Sequence, residues 1–279
     1  VLEDDAQGIT VLFKPPGWEV DDERRYCQHR LSAYLQWKYP WSSIARDPEH
    51  AWGIIHRLDV PSSGLILTGT TFQGYYTLKW QLDTAQITRE YVVLVHGWVS
   101  PALRVIDAPV HHIKDDCPAR STLTPTRSAR RSTICEMGKP AVTWIRVVAH
   151  AQRQHSKLSL LVVRIKTGRR HQIRAHLHHV QHPTVADGKY TRAATFASDL
   201  AWCPRNFLHR QRLVFRDAAG VEKVATEPLP EDLANGLRSL EPCGRQSSEA
   251  ISEWTAGGAP RPWTAYKPLD EDGEEAAAV

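Results

Sequence analysis

Apolar residues along this chain come in short blocks, and the period within each block predicts an element. ITVLF at 9–13 is continuous and β-branched, which predicts a strand, ended by the turn Lys14-Pro15-Pro16-Gly17. LSAYLQWKY at 31–39 has helical spacing and stops at Pro40. GIIHRLD at 53–59 and GLILTGT at 64–70 predict two strands hinged at Val60-Pro61-Ser62-Ser63, and FQGYYTLKWQLD at 72–83 predicts a helix. REYVVLVHGWV at 89–99 is strongly β-forming. AVTWIRVVAHA at 141–151 and KLSLLVVRIKTG at 157–168 predict an antiparallel pair, RRHQIRAHLHHV at 169–180 a helix, and FLHRQRLVF at 207–215 a late strand. Strands outnumber helices and several follow one another directly. The expected fold class is therefore α+β, with a mixed, mostly antiparallel central sheet flanked by helices rather than a doubly wound parallel sheet.

Beyond Leu240 the pattern fades into Pro, Gly, Ser and Glu, which predicts a folded unit over 1–240 and a disordered or loosely attached acidic tail over 241–279. Charge follows the same division. The tail carries three basic residues against eight acidic ones, whereas the preceding part carries 32 against 23, so a basic body is joined to an acidic appendage although the whole chain is only +4. A basic body attracts polyanions, although ordinary solubilising charge would look the same. The segment 118–139 is irregular in pattern and holds Arg120, Arg127, Arg130, Arg131 and Lys139 against a single Glu136. It reads as a basic loop, and its arginine bias suits phosphate, whose geometry the guanidinium fork matches.

Composition narrows the class further. At 279 residues and 42% hydrophobic content, the chain can build one large domain or two small ones. No run approaches the roughly 18 apolar residues of a membrane helix, and VLEDDAQGIT lacks the features of a signal peptide. A soluble, intracellular protein without a membrane partner is expected. Because the chain opens on Val1, as a processed form or a piece of something longer would, its compartment is not readable. Cys27, Cys117, Cys135, Cys203 and Cys243 are odd in number and form no C-x-x-C pair, which suggests neither a disulfide framework nor a cysteine zinc site. His171, His176, His178, His179 and His182 crowd one span, but His171 and His176 form H-x-x-x-x-H rather than the helical i, i+4 pair of zinc enzymes, and no carboxylate lies between the histidines. A polar helix face is expected there, and no metal.

Two places break the local rules. Within 53–67, His56, Arg57 and Asp59 interrupt a run that should be buried, and a buried charge is costly unless paired or put to use. On a strand Arg57 and Asp59 would share one face, emerging side by side at the Val60 turn. A structural ion pair and a catalytic carboxylate both fit that placement. The second place is TGRRHQIRAHL, where Arg169, Arg170 and Arg174 fall in the first turns of the expected helix and oppose its macrodipole. Such violations fall at functional sites, and an anionic partner, either a protein carboxylate or an RNA phosphate, would compensate.

Four stretches, VLFKPPGWEV, HRLDVPSSGLIL, REYVVLVHG and TGRRHQIRAHLHHVQHPTVADGKY, resemble in order and separation the successive motifs of the RluA-type family of RNA pseudouridine synthases. GKPAVTW and FLHRQRLVF add weaker similarity, so that the resemblance covers about 4–240. Departures are few: Ser62 stands where Thr is usual, Arg89 where Lys is commoner, Arg170 where Thr is common, and Ala186 where Gly is expected before Asp187. The sequence opens at the first motif, and the small S4-type RNA-binding domain that many relatives carry upstream is not part of it, so nothing in it names the RNA target.

The resemblance implies a pseudouridine synthase fold and cofactor-independent isomerisation of uridine within RNA. Asp59 matches the catalytic aspartate, Arg174 its basic partner, and Tyr91 the tyrosine that stacks on the target base. Arg57 matches the arginine that fills the space left by a flipped uridine. Arg169 and Arg170, with Arg127, Arg130 and Arg131 of the loop, are expected to contact RNA. His56 and His171 are expected to be structural beside the site, and Gly64 and Gly168 to serve tight backbone geometry. The expected partner is a structured RNA such as tRNA or rRNA, and the expected state a monomer. A glycoside hydrolase normally needs two carboxylates flanking the bond, and the resemblance implies only one catalytic carboxylate, Asp59. A catalytically inactive RNA-binding protein would be expected to have lost Asp59, Tyr91 or Arg174.

Overall fold

The computed structural model describes residues 2–4, 7–20, 29–112 and 131–270. Its centre is a ten-stranded sheet ordered β1-β2-β3-β10-β4-β9-β8-β12, with β11 beside β10 and β5 beside β8. In chain order the strands are β1 (Leu2–Asp4), β2 (Ile9–Lys14), β3 (Ser63–Gly69), β4 (Thr88–His96), β5 (Val105–Asp107), β6 (Val110–His112), β7 (Ser132–Ile134), β8 (Val142–Arg153), β9 (Ser156–Ile165), β10 (Leu208–Arg216), β11 (Glu222–Thr226) and β12 (Glu241–Pro242). The helices are α1 (Leu31–Lys38), α2 (Phe72–Asp83), α3 (Gln172–His179), α4 (Ala193–Leu200), α5 (Glu231–Arg238) and α6 (Gly244–Thr255). Every pairing in the large sheet is antiparallel except β3 with β10, a seam of two pairs, Ser63 with His209 and Gly64 with Arg210. The α+β architecture with a mixed, mostly antiparallel sheet is as the strand pattern predicts.

Alternation along the strands sorts the core onto two faces. Tyr91, Val93 and Val95 of β4 and Leu161 and Val163 of β9 join Leu31 and Leu35 of α1 and Ile173 and Leu177 of α3. Val92 and Leu94 pack on the other face with Phe207, with Leu233 and Leu237 of α5, and with Ile251 and Trp254 of α6. Nearer the N-terminus α2 sets Tyr75 and Leu78 against Val11, Leu65 and Leu67. Strands covered on both sides have no polar face to show, which is why β4 and β9 read as continuous apolar runs.

Three expectations are corrected. Residues 53–59 do not form a strand: Ile54 bridges Thr68 and the Ile55 amide donates to the Leu67 carbonyl, after which the chain leaves β3. The Gly17 amide and Lys14 Nζ both donate to the Val60 carbonyl, 2.8 and 3.3 Å away, holding this segment to the KPPG turn instead of to a ladder. Second, the loop read over 118–139 contains β7, which pairs with β6, while Lys139 exchanges both backbone hydrogen bonds with Val110. Arg120, Arg127 and Arg130 lie outside the described residues; Arg131 is exposed at the start of β7. Third, the chain after Leu240 does not trail away. β12 pairs with β8, α6 buries Ile251 and Trp254, and Tyr266 stacks on Trp254 with ring centroids 5.5 Å apart. Arg146 on β8 donates to the carbonyls of Trp263 and Tyr266, so the segment is fastened as far as Asp270 despite its acidic composition.

Candidate active site

A cavity of about 560 Å³ opens on the face of the sheet that carries α1 and α3. That size suits one nucleotide-sized ligand. The 53–62 segment supplies His56, Arg57 and Asp59, β4 supplies Tyr91, and the turn into α3 supplies Gly168 to His171. Sequence positions far apart are thus brought to one place.

Two acids line the cavity: Asp83, exposed and paired with Lys79, and Asp59, which is largely enclosed. Arg174 Nη1 donates to its Oδ2 at 2.8 Å. The same guanidinium grips Asp187 bidentately, Nε to Oδ2 at 2.7 Å and Nη2 to Oδ1 at 2.6 Å, so one cation is shared by two carboxylates. Asp187 is in turn held by the Thr184 hydroxyl and the Lys189 amide. Burial pushes the Asp59 carboxyl up, but the charge and hydrogen bond of Arg174, with His171 and Arg57 nearby, outweigh it and bring the pKa to about 2. Asp59 is therefore an anion at neutral pH, oriented by a side chain that is itself immobilised.

Only Arg174 of the three arginines lies in the helix. Arg169 and Arg170 precede α3, and His171 caps it with a left-handed φ of 52°. The opposition to the helix dipole is confined to Arg174 and is met by Asp59 and Asp187, a protein answer rather than an RNA phosphate. Arg169 lies at the rim, its Nε donating to the Pro140 carbonyl, and Arg170 Nη1 meets His112 Nε2 at 3.2 Å. His171 sits with Nε2 3.8 Å from Asp59 Oδ1 and Nδ1 3.2 Å from Tyr190 Oη. Burial depresses its pKa to about 4, so it stands neutral against the carboxylate. The expected polar face of α3 is only partly so, since His176 is fully buried between Thr143 Oγ1 and the Ala108 carbonyl.

Tyr91 is 2% exposed and lines the cavity from β4. Its hydroxyl oxygen accepts from Arg210 Nε at 2.9 Å and Nη2 at 2.6 Å, and the guanidinium lies 5.0 Å from the ring centroid. Arg210 stands opposite Tyr91 across the β4–β10 ladder, just before a register shift at Gln211 that re-aims the strand beside the site. It also donates to His56 Nδ1 at 2.7 Å and to the carbonyls of Leu65 and Arg57. His56 is thereby an acceptor held neutral; burial and the cations Arg210 and Arg89 keep its pKa well below the ordinary histidine value. Arg57 remains exposed at the mouth.

Arg210 and Asp187 were not singled out as site residues by the sequence. The signal for Arg210 is of the same kind as that for Asp59, a charge within a stretch expected to be buried, which in FLHRQRLVF it shares with Arg212. Both glycines meet close neighbours. At Gly64, φ is 124° and a Cβ would stand 2.3 Å from the Arg210 carbonyl oxygen, while at Gly168 it would stand 2.7 Å from Arg89 Nη1. Ala186, where a glycine is expected, does adopt a left-handed φ of 53°, and its amide is fastened by Asp199 Oδ2. Among the described residues no group of histidine, cysteine and carboxylate side chains could hold a metal, and no helix is long and apolar enough to cross a membrane.

Comparison with known proteins agrees with this geometry. A family model described as RNA pseudouridylate synthase matches residues 9–179. Ribosomal large subunit pseudouridine synthase D of Salmonella typhimurium is 31% identical over 219 residues, covering 75% of this chain and 60% of that protein. The protein of that name from Escherichia coli K12 is 32% identical over 212 residues, covering 73% and 58%. The chain spans about three fifths of the length of these relatives. Among solved structures, Human RNA Pseudouridylate Synthase Domain Containing 1 superposes with a TM-score of 0.61 at 17% identity, covering 94% of this chain and all of that one, a likeness of fold. Human RNA Pseudouridylate Synthase Domain Containing 4 gives 0.60 at 19% identity, covering 86% and 92%. With the match spanning the KPPG turn, Asp59, Tyr91 and Arg174, the chain belongs to the RNA pseudouridylate synthase family.

Proposed function

We propose that this chain isomerises uridine to pseudouridine within RNA, with Asp59 acting at the ribose. The observation that carries the reading is an ionised carboxylate, held by Arg174, in a nucleotide-sized cavity that also contains Tyr91. The reaction breaks the N1 glycosidic bond, turns the uracil over and joins C5 to the same sugar carbon, with loss of the C5 proton. A permanently charged carboxylate suits either attack on C1′ or removal of the sugar's 2′ proton. Tyr91, which lines the cavity from β4, would stack on the uracil. Arg57, exposed at the mouth two residues before Asp59, would enter the gap left by a flipped nucleotide, whose unstacking costs a few kcal/mol. Arg169, Arg170 and Arg131, together with Arg127 and Arg130, would grip the backbone phosphates, and the protein would work as a monomer without a cofactor. The names of its relatives make large-subunit ribosomal RNA the first substrate to test.

Incubation with [5-³H]uridine-labelled large-subunit rRNA transcript should release tritium to water. Asp59→Asn should reduce that release by at least about 10³-fold while RNA affinity stays within a few fold, because affinity rests on dispersed phosphate contacts. Appreciable turnover by the pure variant removes Asp59 from the chemistry. Binding without turnover by the unaltered chain, on this RNA and on tRNA, favours an RNA-binding protein without activity.

A further inference from the structure

Arg89 is buried, 3% exposed, and lines the same cavity. On β4 it precedes Tyr91 by two residues, so both side chains leave the strand on one face, roughly 7 Å apart along it. Its Nη2 donates to the Lys166 carbonyl at 2.6 Å. Its Nε is buried and finds no partner, and no carboxylate pairs with it among the described residues. The charged group beside it is a second buried cation, Arg210, whose donors are occupied by Tyr91, His56 and two carbonyls. Burial and this like charge depress the Arg89 pKa to about 10, which leaves it protonated at neutral pH. Two buried guanidinium groups near each other without an acid are costly for folding. Each of the other buried arginines of the cavity has a use within the protein: Arg174 holds two carboxylates, and Arg210 braces Tyr91.

Resting on the proposed uridine isomerisation, we infer that Arg89 is a further catalytic residue, which receives a carbonyl oxygen of the target uracil and holds the negative charge of the detached base. When the N1–C1′ bond breaks, its electron pair goes to N1 and spreads onto O2 and O4. C1′ is meanwhile taken by the Asp59 carboxylate, or the sugar surrenders its 2′ proton. The base is then an anion, and it must turn within the cavity before C5 bonds to C1′, a step that releases the Asp59 carboxylate or, on the other route, returns the 2′ proton from Asp59 to C2′; the C5 proton then leaves to water. A cation already desolvated and lacking an anion is complementary to that transient charge, and needs no reorganisation when the charge appears. Gly168 serves the same end, since any side chain there would strike Arg89 Nη1.

Arg89→Lys, Arg89→Gln and Arg89→Met in the full chain test this. Lys and Gln can both donate to the Lys166 carbonyl, but only Lys is charged. With the tritiated large-subunit rRNA transcript under single-turnover conditions, Arg89→Lys should keep the rate constant within about tenfold. Arg89→Gln should lose about 10²- to 10³-fold, with half-saturating RNA concentration changed less than about threefold. Arg89→Met should raise the melting temperature by ~2–4 °C, since a charge buried without a partner is gone; a structural brace would lower it. Equal rates for Lys and Gln, a loss confined to RNA affinity, or a lower melting temperature for Met overturns the inference. An unaltered chain that releases no tritium overturns the proposed function instead, and the melting comparison still decides whether Arg89 is a brace.

Discussion

His171 and Asp59 face each other at 3.8 Å, yet they are not an ion pair at neutral pH, and the difference has a measurable pH signature. Burial, reinforced by Arg174, Lys189 and Arg170, depresses His171 to about 4 against the pull of Asp59, whereas an unfolded histidine titrates near 6.5. The unfolded chain thus binds the extra proton first. Stability owed to the neutral imidazole is complete above pH 6.5 and is lost as pH falls toward 4, by about 3 kcal/mol at most. Asp59 has the same sign but a lower window: its share is complete above its unfolded value of 3.8 and fades only as pH falls through about 2. Urea unfolding at pH 7, 6, 5 and 4.5 should therefore show declining stability with Asp59 still charged, and His171→Gln should make the decline shallower. His56, His176 and His209 are depressed in the same direction and will keep part of the slope in that variant. An identical slope in both proteins would mean that His171 is not buried neutral.

Among the elements, those legible from the sequence are the ones whose pattern has a single physical cause. β2, β4 and β9 are buried over most of their length and read as apolar runs, and α2 spans the very residues its periodicity predicts. The site divides the same way. Asp59 and Arg174 are legible because each is a charge set against a local rule, whereas Arg210 and Asp187 act through partners 119 and 13 residues away that no local pattern links to them. α5 and α6 escape because they bury one narrow stripe under charged faces; in α6 it amounts to Ser247, Ile251 and Trp254. Composition over 241–279 averages that stripe away. The packing gives the opposite expectation to disorder: Trp254→Ala should cost about 3 kcal/mol in urea unfolding, the usual range for deleting a buried tryptophan. A change under about 0.5 kcal/mol would return the segment to the status of an appendage.

Over the whole molecule the residues of the cavity come from three stretches, two of which have local structure of their own. β1, β2, β3 and α2 form one stretch and present Asp59 beside the KPPG turn; β8 and β9 form a hairpin turned at Gln154 and His155, and lead into α3 with Arg174. Tyr91 on β4 waits for a partner more than a hundred residues further along the chain, since β10 must slip between β3 and β4 to bring Arg210 to it. Only two ladder pairs, Ser63 with His209 and Gly64 with Arg210, join β10 to β3. Local hairpins close quickly, and pairing across long chain separations is slow because loop closure must precede its reward. The two-pair seam therefore sets a clock. After dilution from urea, ellipticity at 222 nm should recover first, and tritium-releasing activity should follow in a distinct slower phase as β10 inserts. Coincident recovery would mean that the seam forms with the hairpins. A delayed phase would mean that the chain holds most of its secondary structure for a time as a protein without an active site.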